Sequence, residues 1–213
     1  MALDRGARII PPVRVSARPI VLASASPRRK RLLEQLGLDY RAVPVDVDES
    51  AQPTERPEAV ARRLALAKAQ AVEDSMRATS VILAADTIVT LGGRLLGKPK
   101  GADEAREMLR ALRGRAHRVI TGLAVLIPGL APVSEAVDTT VWMRNYTDGE
   151  IEGFIASGEP LDKAGAYAIQ SEKFHPAERV DGCYLNVVGL PMCHVRRALA
   201  GAGIPIDARP ADF

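Results

Sequence analysis

The sequence predicts an α/β fold, with strand and helix patterns alternating along the chain. Three observations predict it. Ile20–Ala23 is a short apolar run that reads as a buried strand and turns at once into a helix start at Ser26-Pro27. Residues 57–74 carry a helical stripe of Val60, Leu64, Ala67 and Ala71. Val81–Val89 is a continuous apolar run, suited to a central strand covered on both faces.

The elements follow in order, and each brings its candidate residues. The first helix has Leu32 and Leu33 on one face, and Gly37 suits a left-handed end. Arg28 and Arg29 stand in its first turn, where the helix dipole is already positive. A cation there costs roughly 0.3–1 kcal/mol unless an anion faces it. Ser24, Ser26, the free N–H groups and two guanidinium forks suit a phosphate; a solvated basic turn is the alternative. Tyr40–Val45 reads as a short strand, followed by Asp46-Val47-Asp48-Glu49. That cluster suits a hard cation such as Mg²⁺, or is plain solvated loop. In the long helix Lys68 lies at the edge of the stripe, where it either snorkels or reaches into a cleft beside the first helix.

Asp86 interrupts the Val81–Val89 run. An ionised carboxylate there is costly without cations, hydrogen bonds or a metal, which favours a catalytic or metal-binding role over a structural one. Gly92-Gly93 makes a hairpin turn. The return strand leads to Gly97-Lys98-Pro99, which leaves Lys98 beside the strand carrying Asp86. Asp103 is placed to cap the next helix, with Ala105, Met108, Leu109 and Leu112 inward. His117–Ile127 and Val133–Met143 read as a long hairpin. Thr147-Asp-Gly-Glu150 is a capping box for a helix ending at Gly158. Residues 158–191 are loop-rich, then strand-like around Tyr167. The Gln170 amide either pairs with a base edge or stays on the surface. A last helix runs through Met192, Val195 and Leu199. Residues 1–19 read as a flexible leader and 202–213 as an irregular tail, so 20–201 form a single domain.

Composition narrows the function classes. The 213 residues are enough for one sizeable domain or two small lobes around a shared core, and 47% hydrophobic with 26% charged is ordinary globular composition. No apolar run approaches the roughly 20 residues of a membrane span, and the secretory pattern is absent. Cys183 and Cys193 form no framework or metal spacing, which fits a reducing cytoplasm. Of 29 Lys/Arg, eight fall in residues 1–31, against one of 26 Asp/Glu; the remainder holds 21 basic and 25 acidic residues. The positive charge is therefore local. With only eight aromatics in the chain, a nucleic-acid stacking surface is not expected.

Taken together, the ordered motifs resemble the Maf family of nucleoside triphosphate pyrophosphatases. They are Ser24-Ala-Ser-Pro-Arg-Arg29, Asp48-Glu49, Leu64-Ala-Leu-Ala-Lys68-Ala, Ala85-Asp86-Thr87, Gly97-Lys98-Pro99, His117-Arg-Val-Ile-Thr-Gly122, Asp162-Lys-Ala-Gly-Ala-Tyr-Ala-Ile-Gln170 and Asn186-Val-Val-Gly-Leu-Pro191. The resemblance implies an inosine-triphosphatase-type fold: an elongated mixed sheet flanked by helices, with two lobes around a cleft. It implies metal-dependent conversion of a nucleoside triphosphate to the monophosphate and pyrophosphate, with Asp86 as proton acceptor. Ser24, Ser26, Arg28, Arg29, Lys68 and Lys98 would face the phosphates. Glu49 and Asp86 would hold Mg²⁺ or Mn²⁺. Arg28, Thr87 and Gln170 are the positions that set nucleotide class, and this trio resembles the dTTP/UTP branch rather than the 7-methyl-GTP branch. The resemblance is compatible with a homodimer and with a role in septum arrest. Ser171 departs from it, standing where Gly is usual. The rival readings are the same chemistry on other nucleotides, and a nucleotide-binding regulator of cell division with little catalysis.

Overall fold

The computed structural model describes residues 18–35, 37–52, 54–201 and 203–204. The leader expected over 1–19 and the tail over 202–213 lie almost wholly outside the described residues. In chain order the elements are β1 (Ile20–Leu22), α1 (Pro27–Gln35), β2 (Tyr40–Ala42), α2 (Pro57–Gln70), α3 (Asp74–Arg77), β3 (Val81–Leu91), β4 (Arg94–Leu96) and α4 (Ala102–Leu112). The second half has β5 (Ala116–Leu126), β6 (Val133–Met143), α5 (Asp148–Ala156), two 3-10 turns (Glu159–Asp162 and Ala164–Ala166), β7 (Ala177–Asp181), α6 (Tyr184–Val188) and α7 (Met192–Gly201).

The strands form one mixed sheet in the order β2-β1-β3-β5-β6-β7, with β4 on β3. β1 runs parallel to β2 and β3; the other pairings are antiparallel. β3 is the central strand, as its apolar run predicts, and it sorts its side chains by parity. Ile82 and Ala84 pack with Ala65, Ala69 and Val72 under α2. Val81, Leu83 and Ala85 join Leu32, Leu33, Val195 and Leu199 of α1 and α7 on the opposite face. Val89, further along that face, joins Leu109, Leu112, Tyr146 and Phe154 of the α4–α5 lobe. The two lobes thus share one face of the sheet, one at each end of β3.

The edge of β3 opens the cleft between them. β5 covers one edge of β3 from Ile82 to Thr90. On the other edge, pairing with β1 ends at Leu83 and pairing with β4 begins at Val89. Residues 84–88 therefore have a free edge, just beyond the C-terminal end of parallel β1, the customary place for a ligand in α/β sheets.

Several local expectations are corrected. α2 ends at Gln70, and its buried residues are Val60, Ala61, Leu64, Ala65 and Ala69, so the apolar stripe is rotated from the expected one. Gly101, not Asp103, occupies the N-cap of α4, and no side chain caps it. The segment at Tyr167–Gln170 forms no strand: Gly165 (φ 72°) and Ala166 (φ 57°) turn it sharply. The Thr147–Glu150 capping box is present in full.

Candidate active site

α1 begins as its sequence dictates. Pro27 takes the first position, and the Ser26 hydroxyl accepts from the Arg29 N–H at 3.5 Å. Ser24 Oγ accepts from the Ser26 N–H at 3.1 Å. No acidic residue stands in this first turn, so its dipole and its arginines both face the cleft without an internal carboxylate.

Arg29 is held as a clamp. Its Nε donates to Gly189 O at 2.8 Å, Nη1 to Ser24 Oγ at 3.3 Å and Nη2 to Thr87 Oγ1 at 3.1 Å. Thr87 Oγ1 lies 2.9 Å from Thr121 Oγ1, which donates to Asn186 O at 2.9 Å. Burial lowers the Arg29 guanidinium below its ordinary range; Asp86 opposes that and Arg28 adds to it. A guanidinium has five N–H donors, so this clamp leaves two for an anion.

Asp86 points to the α2 face, opposite in parity to Thr87. Along α2 the buried row runs Val60, Leu64, then Lys68 four residues on, so Lys68 occupies a core-facing position. Its Nζ lies 2.5 Å from Asp86 Oδ1 and 2.6 Å from Glu49 Oε1. The Asp86 and Lys68 side chains are only 10% and 12% exposed, whereas Glu49 is half open. Burial pushes the Glu49 carboxyl up, but the Lys68 hydrogen bond and charge, with Lys98 and Arg29 beyond, hold it below its usual value.

These groups line one cleft of about 900 Å³. Every candidate lines it: Ser24, Ser26, Arg28, Arg29, Glu49, Lys68, Asp86, Thr87, Lys98 and Gln170. The far wall is the segment from Asp162 to Gln170. Asp46 also lines the cleft, whereas Asp48 turns to its own loop and accepts from the Ser50 N–H at 2.9 Å. Among the described residues no three His, Cys, Asp or Glu side chains cluster as a metal cage.

Sequence reasoning assigns no role to Thr121, Asn186 or Gly189, which carry the Arg29–Thr87 network from below. It also finds no partners for triad chemistry at His117, His175 or His194. His117 Nε2 lies 2.7 Å from the buried Tyr167 hydroxyl, and His194 pairs with Glu135. Neither faces a nucleophile.

Comparison with known proteins places the family and the fold. Residues 19–202 match the family model described as Maf-like protein. The chain is 49% identical over 189 residues to a dTTP/UTP pyrophosphatase of Thermomicrobium roseum, covering 88% of this chain and 86% of that one. A dTTP/UTP pyrophosphatase of Geobacter sp. (strain M21) is 46% identical, over 86% of this chain and 95% of the relative. Among solved structures, the Ham1 protein of Staphylococcus aureus shares the fold, with a TM-score of 0.50 at 15% identity over 86% of this chain and 99% of that chain. No helix among the described residues is long and apolar enough to cross a membrane.

Proposed function

The chain belongs to the Maf family, and from that premise we propose that it hydrolyses dTTP and UTP to the nucleoside monophosphate and pyrophosphate. The observation that carries the reading is the convergence of Glu49, Lys68 and Asp86 inside a cleft that also holds Arg28 and Lys98. A nucleoside triphosphate brings about four negative charges, and binding it needs cations and positive dipoles. Arg28, Lys98, the start of α1 and the two spare Arg29 donors supply them. A protein that only bound nucleotide would have little use for a buried acid beside phosphate, where it repels the ligand.

Glu49 and Asp86 fit a divalent cation such as Mg²⁺ or Mn²⁺. Both carboxylates already converge on one ammonium, and Mg²⁺ is typically held by one or two carboxylates with substrate phosphates completing the shell. Bound there, it would neutralise phosphate charge. Asp86 orients and deprotonates the water that attacks the α-phosphorus, and the ion pair with Lys68 keeps Asp86 correctly aimed. Little covalent work falls to the protein; positioning and charge neutralisation dominate. Gln170 meets the base edge with its amide, with Arg28 and Thr87 completing the selection. The enzyme acts in the cytoplasm as residues 20–201 of a single domain.

The test is pyrophosphate release across dTTP, UTP, CTP and 7-methyl-GTP, with and without Mg²⁺. Turnover should favour dTTP and UTP and require the metal. A preference for 7-methyl-GTP, or release of orthophosphate in place of pyrophosphate, would overturn the reading.

A further inference from the structure

The wall that carries Gln170 is tied down at several points. The Gly165 N–H donates to Gly97 O at 3.0 Å, which joins the wall to the loop of Lys98. Tyr167 is anchored through its hydroxyl to His117. The Ser171 N–H donates to Ala168 O at 3.1 Å, closing a four-residue turn with Ile169 and Gln170 at its centre. Ser171 O in turn accepts from the His175 N–H at 2.9 Å. Ser171 itself is 5% exposed, and its hydroxyl donates to Glu159 Oε2 at 3.0 Å. Glu159 opens the first 3-10 turn, at the start of the same wall, and its carbonyl accepts from Lys163 Nζ. The Ser171–Glu159 contact therefore ties together residues twelve positions apart, across a segment whose regular structure is two short 3-10 turns.

We propose that Ser171 and Glu159 form a strap that positions Gln170 for base recognition. Ser171 touches no substrate in this scheme; it is a positioning residue. The proposal rests on the reading of Gln170 as the base-facing group. A buried hydroxyl bonded to a carboxylate is the stronger kind of neutral–charged hydrogen bond, and losing it frees one end of the turn. A loosened turn presents the amide over a spread of positions. Binding and discrimination then fall, while the chemistry at the α-phosphorus, set by Asp86 on the opposite wall, continues.

The experiment compares S171A, E159A, the double variant, S171T and E159Q, each checked for an unchanged melting profile. S171A should raise KM for UTP roughly five- to tenfold and lower the preference for UTP over CTP, with kcat within about twofold. E159A should do the same, and the double variant no more than either single one, because the two residues act as a pair. S171T keeps the donor and should hold wild-type KM, whereas E159Q keeps only a neutral acceptor and should fall between wild type and E159A. Additive single effects, or a KM for S171A within about twofold of wild type, would overturn the strap. Amide hydrogen exchange reads it independently of activity. S171A should raise exchange at residues 166–172 even if no pyrimidine nucleotide proves to be a substrate, and unchanged exchange there overturns it. Failure of the wild type on dTTP and UTP, with exchange rising as expected, would instead count against the base-recognition reading.

Discussion

Gly122 of β5 lies directly under Ala61 of α2. A methyl group built on Gly122 would fall 1.9 Å from the Ala61 carbonyl oxygen and 2.2 Å from its carbon. In the sheet Gly122 is the partner of Asp86. The same close approach therefore sets how far α2 stands from the strand that holds the acid, and so where Lys68 delivers its ammonium. Backbone, not a pliable side chain, would have to give way. Gly122→Ala should cost ~3 kcal/mol, at the upper end of overpacking, and lower Tm by roughly 6–12 °C for a chain of this size. Activity should fall even well below that Tm, because Lys68 is displaced. Thermal melts with parallel turnover at low temperature check it, and a variant that melts within a degree of wild type contradicts the packing described.

Asp86→Asn keeps the shape of the side chain and removes its charge and basicity. If Asp86 deprotonates the attacking water, kcat should drop by about 10²–10⁴, the usual contribution of a positioned general base. Nucleotide affinity should hold or rise, because a negative group beside the phosphates is gone. Single-turnover pyrophosphate release and equilibrium nucleotide binding separate the two. Near-normal turnover by the variant would remove Asp86 from the mechanism.

How far the sequence carries the structure differs residue by residue. Asp86 is legible because a carboxylate inside an apolar run has to be met by cations, hydrogen bonds or a metal. Its access to the cleft comes from a break in pairing along β3, between Leu83 and Val89, which no pattern of residues along one strand expresses. Lys68 is legible only as an alternative, since a stripe through Ala67 and Ala71 puts it at the margin; the helix turns a different row inward. β7 is silent in the sequence because its residues Ala177–Asp181 lie on the sheet's edge with no apolar alternation. Arg179 instead covers the Trp142 ring, 4.1 Å from its centroid. Tyr167–Ile169 reads as a strand because it is apolar. Its burial comes from the turn that Gly165 makes against Val89, where a methyl would sit 3.0 Å from Cγ1. A glycine inside a strand signals a close approach, as at Gly122, but not which backbone approaches.

Lys68→Met leaves Glu49 and Asp86 facing each other with no cation between them. In the wild type, Glu49 is held below its ordinary value, so it contributes stability above the unfolded carboxyl's range and loses it as pH falls through the lower folded value. Without Lys68, burial and the neighbouring carboxylate both favour the protonated acid. The variant should then bind more protons folded than unfolded near pH ~5. The Tm deficit of the variant should be largest near pH ~7 and narrow towards pH ~5, and Mg²⁺ should recover part of it at the higher pH. Melts across that range, with and without Mg²⁺, check both points. A deficit independent of pH would mean that the three groups do not share charge.

His117 supplies the opposite test, of a base kept neutral. It is 3% exposed, and burial pulls its imidazole down to about 4. The ring meets the Tyr167 hydroxyl through Nε2, while Nδ1 has no partner among the described residues. Protonating the ring makes both nitrogens donors, and Nδ1 faces no acceptor among the described residues. As pH falls below about 6.5 the unfolded chain takes up a proton that the folded chain refuses until about 4. Stability is therefore complete above 6.5 and is lost between 6.5 and about 4, by up to ~3 kcal/mol. Gln at position 117 places an amide near Nε2 and cannot titrate. H117Q should lose stability at neutral pH yet show a visibly shallower decline from pH ~6.5 to ~4.5 in denaturant titrations. A decline as steep as that of the wild type would place the acid sensitivity elsewhere, and the imidazole would then be free to take its proton inside the fold.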